Sequence, residues 1–470
     1  MKTQETSVNI RFAFSTVTVL FFMWGFITCM NDLLIPKFKA DFELTQFQAN
    51  LVQSAFFGAY FITSLLYFLT SAAFGDPINR IGYKNGLVCG LAVSGLGCLL
   101  FYPAAETHAY PLFLAALLVL GSGITIIQIA ANPYVSVLGS EESAPSRLNL
   151  SQGLNSLGYV VAPLIGGLLL FGSKVYETDL AGGIQTVKLP YLGLCVTFWI
   201  LAVAFFFIRL PAFRNTETTR AGVHAFKHPH FVWGWLAMFF YVGSEVTIGS
   251  ILINYLGQDH VLGLPANQAD KYLSFYWGGL MIGRLMGAIT LSNLKASRKS
   301  LFMGLAAIAA TMVIYLNTTF KEHFTVGHFL HIADILPYLG LVALSFVFFV
   351  IGQSKPGKMV GIFASIALIL TGISIGSSGE LALWSIVGIG FFNSIMWSNI
   401  FTLSIRGLGN DTAQGSSLLV MMIVGGALMP ALQGALMDAW GVRLSLGIVV
   451  IGYLYLVFFG FIGCRLGRSR

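Results

Sequence analysis

The sequence is poor in charged residues. Asp, Glu, Lys and Arg make up 10% of its 470 residues, whereas soluble globular proteins carry about 25%. Hydrophobic residues make up 56%, and the mean hydropathy is +0.80. Because so few charges cannot cover a surface that faces water, the composition excludes an ordinary soluble domain. It predicts an all-α polytopic membrane protein.

The sequence also lacks the usual patterns of catalytic and metal sites. Its five cysteines have no metal-like spacing, and no H-E-x-x-H or G-x-x-x-x-G-K motif is present. We therefore expect no catalytic residue and no cofactor. The net charge of +7 lies mainly in short loops, where basic residues orient membrane spans, and so predicts no nucleic-acid partner.

Apolar runs long enough to cross a bilayer, which takes about 20 residues, recur along the whole chain. The first run is too long for a cleavable signal peptide and is interpreted as a retained span. A polar connector at 211–230 separates six runs from eight, which gives about fourteen spans. They are roughly 11–35, 47–74, 86–104, 110–139, 149–172, 189–210, 231–257, 269–292, 300–317, 333–352, 358–376, 381–405, 415–437 and 443–464.

Removing the pair of runs at about 300–352 leaves six spans on each side of the connector. We therefore predict an N-terminal six-helix bundle at 1–210, a cytoplasmic linker at 211–230, and a C-terminal bundle with an inserted helical hairpin at 231–470. Lys and Arg are more frequent in alternate loops, which places both termini in the cytoplasm. Two six-helix halves with a substrate site at the membrane midplane are typical of secondary transporters. We expect a monomer in the lipid bilayer.

A few polar side chains lie inside the apolar runs, where charge is costly and therefore indicates function. Asp32 and Asn31 lie in the first run, with Thr28 one helical turn before Asp32. The other polar candidates share helix faces in pairs: Gln128 with Asn132, Gln152 with Asn155, Tyr241 with Glu245, and Asn393 with Trp397.

These residue types fit a hexose, whose hydroxyls bind amides and carboxylates and whose C–H face packs on an aromatic ring. The predicted substrate-binding residues are Gln128, Gln152, Asn155, Glu245, Asn393, Trp277 and Trp397. The alternative for the amides is that they only join helices by hydrogen bonds. Arg284 is interpreted as a structural anchor near a span end.

Several stretches resemble the fucose:proton symporter family of the major facilitator superfamily, and more closely its glucose/galactose transporter branch. They are FFMWGFITCMNDLLIPKFK, AANPYVSVLG, SRLNLSQGLNSLG, YVGSEVTIGSILINY, YWGGLMIGR and GNDTAQGSSLLVMMIVGGALMP. The loop signature of the superfamily is present in degenerate form as GDPINRIGYKNG, with Asn79 where an Asp is usual. The resemblance implies the major facilitator fold and sugar import across a bacterial inner membrane by alternating access.

The resemblance also implies roles for single residues. Asp32 matches the family acid that is linked to cation coupling, and Gln152 and Asn155 match amides that contact the sugar. Gln128 departs from the pattern, because the fucose symporters carry a glutamate there.

A single carboxylate among neutral oxygens can hold either a proton or Na⁺. Amides coordinate sodium but do not shuttle protons, so the sequence favours Na⁺ coupling at Asp32, with Asn31, Thr28 and Gln128 as further ligands. Proton coupling remains the alternative. We therefore predict a cation-coupled symporter that imports a hexose such as glucose, galactose or mannose.

Three other functions remain open at this point: a drug or metabolite exporter of the same fold, a membrane-embedded glycosyl-transfer enzyme, and a sensor that does not transport. The many amides argue against the exporter. The enzyme would need a cluster of acids or His together with a sizeable soluble loop, and neither is evident in the sequence. A sensor would need a signalling domain, which is also not evident.

Overall fold

In the computed structural model, residues 9–171, 183–213, 222–326, 329–352 and 355–466 are described, and they form helices joined by short connections. This confirms the all-α prediction. The α-helices are α1 Ile10–Asp41, α2 Gln46–Phe74, α3 Pro77–Ile81, α4 Tyr83–Glu106, α5 Tyr110–Val137, α6 Ala144–Phe171, α7 Lys188–Phe207, α8 Pro229–Leu256, α9 Ala266–Thr290, α10 Ala296–Val326, α11 Leu336–Ile351, α12 Pro356–Gly376, α13 Gly379–Asn393, α14 Met396–Ile405, α15 Thr412–Met421, α16 Gly425–Ser445 and α17 Gly447–Phe461.

Within the described ranges, 12 helical segments are long and apolar enough to cross a membrane. One of them joins α13 to α14, and another joins α15 to α16. The helices α6 and α9, with 28 and 25 residues, are not among the 12. The prediction of a polytopic membrane protein is confirmed. The expected count of about fourteen spans is larger than 12 because it also included α6 and α9.

Contacts divide the chain into two compact units. Unit 1 comprises Met1–Gly139, Val161–His228 and Ile405–Val424, and unit 2 comprises Ser140–Val160, Pro229–Ser404 and Gly425–Arg470. The first part of α6 therefore packs with helices of the second half of the sequence, while α15 packs with α2 and α5 of the first half. The division at a linker at 211–230 stays a prediction.

Glycines allow α4 and α5 to approach closely in unit 1. A Cβ atom on Gly97 would lie 2.4 Å from the backbone nitrogen of Leu120, and one on Gly90 would lie 2.8 Å from the backbone nitrogen of Ile127. Apolar burial gives little driving force between helices in lipid, so close backbone packing of this kind is a main source of their association.

The short helix α3 lies in the loop that carries the degenerate superfamily signature. Its N-cap residue Asp76 accepts hydrogen bonds from the backbone amides of Ile78 and Asn79. The side-chain amide of Asn79 donates a 2.8 Å hydrogen bond to the carbonyl oxygen of Asn410, near the start of α15. A neutral hydrogen bond therefore joins α3 to the turn just before α15, at the position where the superfamily it resembles usually carries an Asp.

The predicted hairpin is formed by α10 and α11, which pack on α9 in unit 2. Ile314 of α10 fills the space over Gly278, and the Tyr338 hydroxyl of α11 donates to the carbonyl oxygen of Phe275 at 3.1 Å. The opposite side of α10 exposes apolar side chains, including Leu305 and Ile308. An apolar face of this kind suits contact with lipid.

Candidate functional site

Asp32 is the one exposed side chain in the stretch 24–32 of α1. Thr28 and Cys29, which precede it by four and three residues on the same helix face, are buried. A helix that faced lipid would expose these positions as well. The carboxylate therefore reaches a local opening on α1 and does not belong to a lipid-facing stripe.

The Asp32 carboxylate has one hydrogen-bond partner in the described part of the chain, the side-chain amide of Gln53 on α2. The Nε2 atom of Gln53 donates to Oδ1 of Asp32 at 2.6 Å. No Lys or Arg in the described ranges lies within ion-pair distance of Asp32. The negative charge is consequently balanced only by a neutral donor.

Thr28 and Gln128, two of the predicted sodium ligands, meet at Tyr60 of α2. Gln128 donates to the Tyr60 hydroxyl at 3.1 Å, and Thr28 is also a side-chain hydrogen-bond partner of Tyr60. The third predicted ligand, Asn31, is fully buried, and both atoms of its amide lack a hydrogen-bond partner among the described residues. These three side chains lie in the same unit as Asp32, but none of them is hydrogen-bonded to it.

In unit 2, Glu245 of α8 and Arg284 of α9 form an ion pair. Oε1 of Glu245 lies 3.8 Å from Nη2 of Arg284, and Oε2 accepts a hydrogen bond from the Tyr241 hydroxyl. Arg284 also donates to Ser156 Oγ of α6 at 2.6 Å and to the carbonyl oxygen of Ser394 at 3.3 Å. A buried charge pair with further hydrogen bonds is stable in a membrane where an unpaired charge is not.

One face of α6 carries Gln152, Asn155, Ser156 and Tyr159, which follow each other at helical spacing. Ser156 and Tyr159 of this face contact α9 through Arg284 and Trp277. The side chain of Gln152 makes no hydrogen bond to any other residue that the structure describes. The structure thus places both predicted sugar-contacting amides in unit 2, on the helix face that meets α9.

Asn393 lies at the end of α13, between two tyrosines. Its amide nitrogen donates to the Tyr276 hydroxyl at 3.1 Å, and its oxygen accepts from the Tyr453 hydroxyl at 2.8 Å. Tyr276 continues the chain of hydrogen bonds to the backbone oxygen of Glu245 at 2.9 Å. This network links Asn393 to the helix segment that carries the Glu245 carboxylate.

The two predicted tryptophans lie in different surroundings. Trp277 stacks on Tyr159 with ring centroids 6.0 Å apart, and it lies over Gly249 of α8, whose Cβ would come within 2.8 Å of the indole. Trp397 stacks on Phe401 of its own helix at 5.2 Å. Of the two tryptophans, Trp277 is therefore the one that contacts α8, at Gly249, one helical turn after Glu245.

Sequence reasoning missed Gln53, Tyr60 and Ser156 and interpreted Arg284 as an anchor. Gln53 and Tyr60 share a face of α2 at a spacing of seven residues, a weak signal that could have been found. The pairing of Arg284 with Glu245 joins two helices and leaves no signal in the local sequence. In the described ranges, no cluster of three or more His, Cys, Asp or Glu side chains is arranged to hold a metal ion.

The model of the Major Facilitator Superfamily matches residues 12–354. The glucose/galactose transporter of Brucella abortus is 39% identical over 460 residues, which cover 97% of this chain and 95% of that protein. The L-fucose-proton symporter of Escherichia coli is 29% identical over 453 residues, which cover 91% of this chain and 87% of that protein.

Solved structures agree with these sequence matches. A variant of the Escherichia coli fucose:proton symporter FucP superposes with a TM-score of 0.73 at 26% identity, covering 98% of this chain and 100% of that one. A major facilitator superfamily transporter, FucP in the outward conformation, also gives a TM-score of 0.73, at 27% identity and with 97% and 99% coverage.

The helical fold, the buried polar clusters and these matches together define a membrane transporter and not an enzyme. The chain belongs to the major facilitator superfamily and, within it, to the family that includes glucose/galactose transporters and L-fucose-proton symporters.

Proposed function

We propose that the protein imports a neutral hexose, such as glucose, galactose or mannose, together with a proton. The relatives that carry sugar names cover nearly the whole chain. The amides of Gln152 and Asn155, the Glu245–Arg284 pair and the Trp277 ring supply the donors, acceptors and aromatic face that a sugar needs. We further propose a bacterial inner-membrane location with both termini in the cytoplasm.

The observation that carries proton coupling is the surroundings of Asp32. Its single hydrogen-bond partner among the described residues is the nitrogen of the Gln53 amide, whereas Na⁺ is a hard cation that prefers several oxygen ligands. Thr28 and Gln128, which were expected to complete a sodium site, are hydrogen-bonded to Tyr60, Gln128 through its amide nitrogen, and neither is hydrogen-bonded to Asp32. A proton needs no such shell, so the sodium interpretation made from the sequence is not supported, and we replace it.

The proposed mechanism rests on the cost of enclosing a charge. An ionised and empty Asp32 resists closure of the protein around it, because a carboxylate without a cation partner is costly away from water. Protonation removes that cost, and the loaded carrier can close and then open to the other side. Glu245 needs no proton for this purpose, because Arg284 balances its charge.

Uptake into proteoliposomes tests the proposal directly. We expect an inward proton gradient in sodium-free buffer to drive accumulation of radiolabelled glucose or galactose, and an inward Na⁺ gradient at equal pH to have no effect. A proton ionophore should abolish the accumulation. Stimulation by Na⁺ alone would reject proton coupling and restore the sodium hypothesis.

A further inference from the structure

Glu245 and Arg284 have hydrogen-bonding capacity that their ion pair leaves unused. The distance of 3.8 Å between Oε1 and Nη2 exceeds that of a hydrogen bond, which is about 2.7–3.2 Å. Tyr241 occupies Oε2, while Ser156 and Ser394 occupy Nη1 and Nε. Within the described ranges, Oε1 therefore has no donor and Nη2 has no acceptor.

These two free atoms lie side by side and are accessible. The side chains of Arg284 and Glu245 retain 9% and 13% of their exposed surface, so both border an open space although they are largely buried. A donor and an acceptor that have no partner among the described residues and remain accessible can each form a hydrogen bond with a ligand that reaches them. An acceptor next to a donor is complementary to two neighbouring hydroxyl groups, one donating and one accepting.

The aromatic residue needed beside such a site is also in place. Gly249 follows Glu245 by one helical turn on α8, and the Trp277 ring lies over Gly249. Trp277 precedes Arg284 by two turns on α9, so these two side chains lie on one face of α9. Glu245 and Gly249 likewise lie on one face of α8. The C–H face of a sugar ring could pack on Trp277 while its hydroxyls reach the ion pair.

We propose that Glu245 and Arg284 form a clamp for a vicinal diol of the transported sugar. One hydroxyl donates to Oε1 of Glu245, and the hydroxyl on the adjacent ring carbon accepts from Nη2 of Arg284. This inference rests on the proposed hexose transport. It assigns Arg284 to sugar recognition together with Glu245 and makes the pair a determinant of specificity.

The test uses the full set of monodeoxy and monodeoxyfluoro analogues of the transported hexose as competitors of uptake by the wild-type protein. We expect two adjacent ring positions at which removal of the hydroxyl weakens binding on the order of 10- to 100-fold, because each hydrogen bond involves a charged group. Fluorine accepts but does not donate, so it should partly restore binding at the position facing Arg284 and not at the one facing Glu245.

Two variants locate the effect. In Glu245→Gln the penalty for removing the donating hydroxyl should shrink, and in Arg284→Gln the penalty for removing the accepting hydroxyl should shrink. The other deoxy penalties should be unchanged in both. Glu380→Gln and Arg298→Lys, at exposed positions outside the clamp, serve as matched controls and should keep both penalties. The ratio of the inhibition constants of two analogues, measured on the same variant, does not depend on how much of that variant folds.

Sensitive positions that are not adjacent, or adjacent positions with the same response to fluorine, would overturn the clamp. So would active variants that keep every deoxy penalty of the wild type. If a variant is inactive, the wild-type fluorine pattern decides alone. Hexose uptake without the expected pattern rejects the clamp only, whereas absence of hexose uptake by the wild type rejects the proposed function and the clamp with it.

Discussion

At the scale of single residues, two acids inside the apolar spans, Asp32 and Glu245, differ in their partners. Asp32 is hydrogen-bonded by the neutral amide of Gln53, whereas Glu245 is paired with the guanidinium of Arg284. Neutralising Asp32 removes a costly isolated charge, but neutralising Glu245 would leave Arg284 without its counter-ion. The surroundings therefore suit Asp32 for reversible protonation, whereas Glu245 has a cation within ion-pair distance.

Replacement of Asp32 by Asn tests this difference. The amide has nearly the same shape but cannot bind or release a proton, so gradient-driven accumulation should be lost. Exchange of external for internal sugar, which requires no net proton movement, should persist. Both are measured in the same proteoliposomes.

Asp259→Asn, a change at an exposed loop position, is the matched control and should leave accumulation intact. Wild-type accumulation by Asp32→Asn would contradict the role of Asp32. Loss of exchange as well as accumulation would indicate that Asp32 also binds the sugar.

At the scale of helices, close packing in unit 1 depends on positions where no side chain fits. Gly97 of α4 faces the backbone of α5 at Leu120, and Gly193 of α7 has no atom within 4 Å of its ideal Cβ position. A methyl group at the first position must push two backbones apart, whereas at the second it meets open space.

We therefore expect Gly97→Ala to destabilise the protein by about 1–3 kcal/mol, the usual cost of overpacking. The measurement is the thermal unfolding temperature in detergent, followed by fluorescence or by size-exclusion chromatography after heating. Gly193→Ala is the control and should unfold at the wild-type temperature. Equal unfolding temperatures for both variants would show that α4 and α5 adjust to a side chain at Gly97 without cost.

At the scale of the whole molecule, the predicted residues separate by unit. The cation-coupling set, Thr28, Asn31, Asp32 and Gln128, lies in unit 1. The remaining predicted substrate-binding residues lie in unit 2, and these are Gln152, Asn155, Glu245, Trp277, Asn393 and Trp397. The proposed coupling therefore requires that proton binding in one unit changes the free energy of sugar binding in the other.

The number of protons that enter with each sugar can be predicted from the partners of the acids Asp32 and Glu245. Asp32 has no cation partner among the described residues, whereas Glu245 is paired with Arg284, so we expect one proton to enter with each sugar. Simultaneous measurement of proton and sugar fluxes, or the reversal potential of transport currents, gives the ratio. A ratio of two would indicate that a second group, with Glu245 as the first candidate, also carries a proton.

The sequence by itself determined the fold class, the approximate spans and most of the polar candidates. Hydropathy is a local property, and a charge inside an apolar run such as Asp32 or Glu245 is conspicuous wherever the run packs. The resemblance to the family motifs added the roles proposed for Gln152 and Asn155. Arg284 was visible as a charge but not as the partner of Glu245.

Only the tertiary structure decided which of these residues meet. The contacts of Asp32 with Gln53, of Gln128 with Tyr60, and of Glu245 with Arg284 each join two helices that are separate in the sequence. The rotation of each helix about its axis, set by packing of the kind seen at Gly97, fixes these contacts, and no periodicity within one helix specifies it. The assignment of the first part of α6 to unit 2 has the same origin.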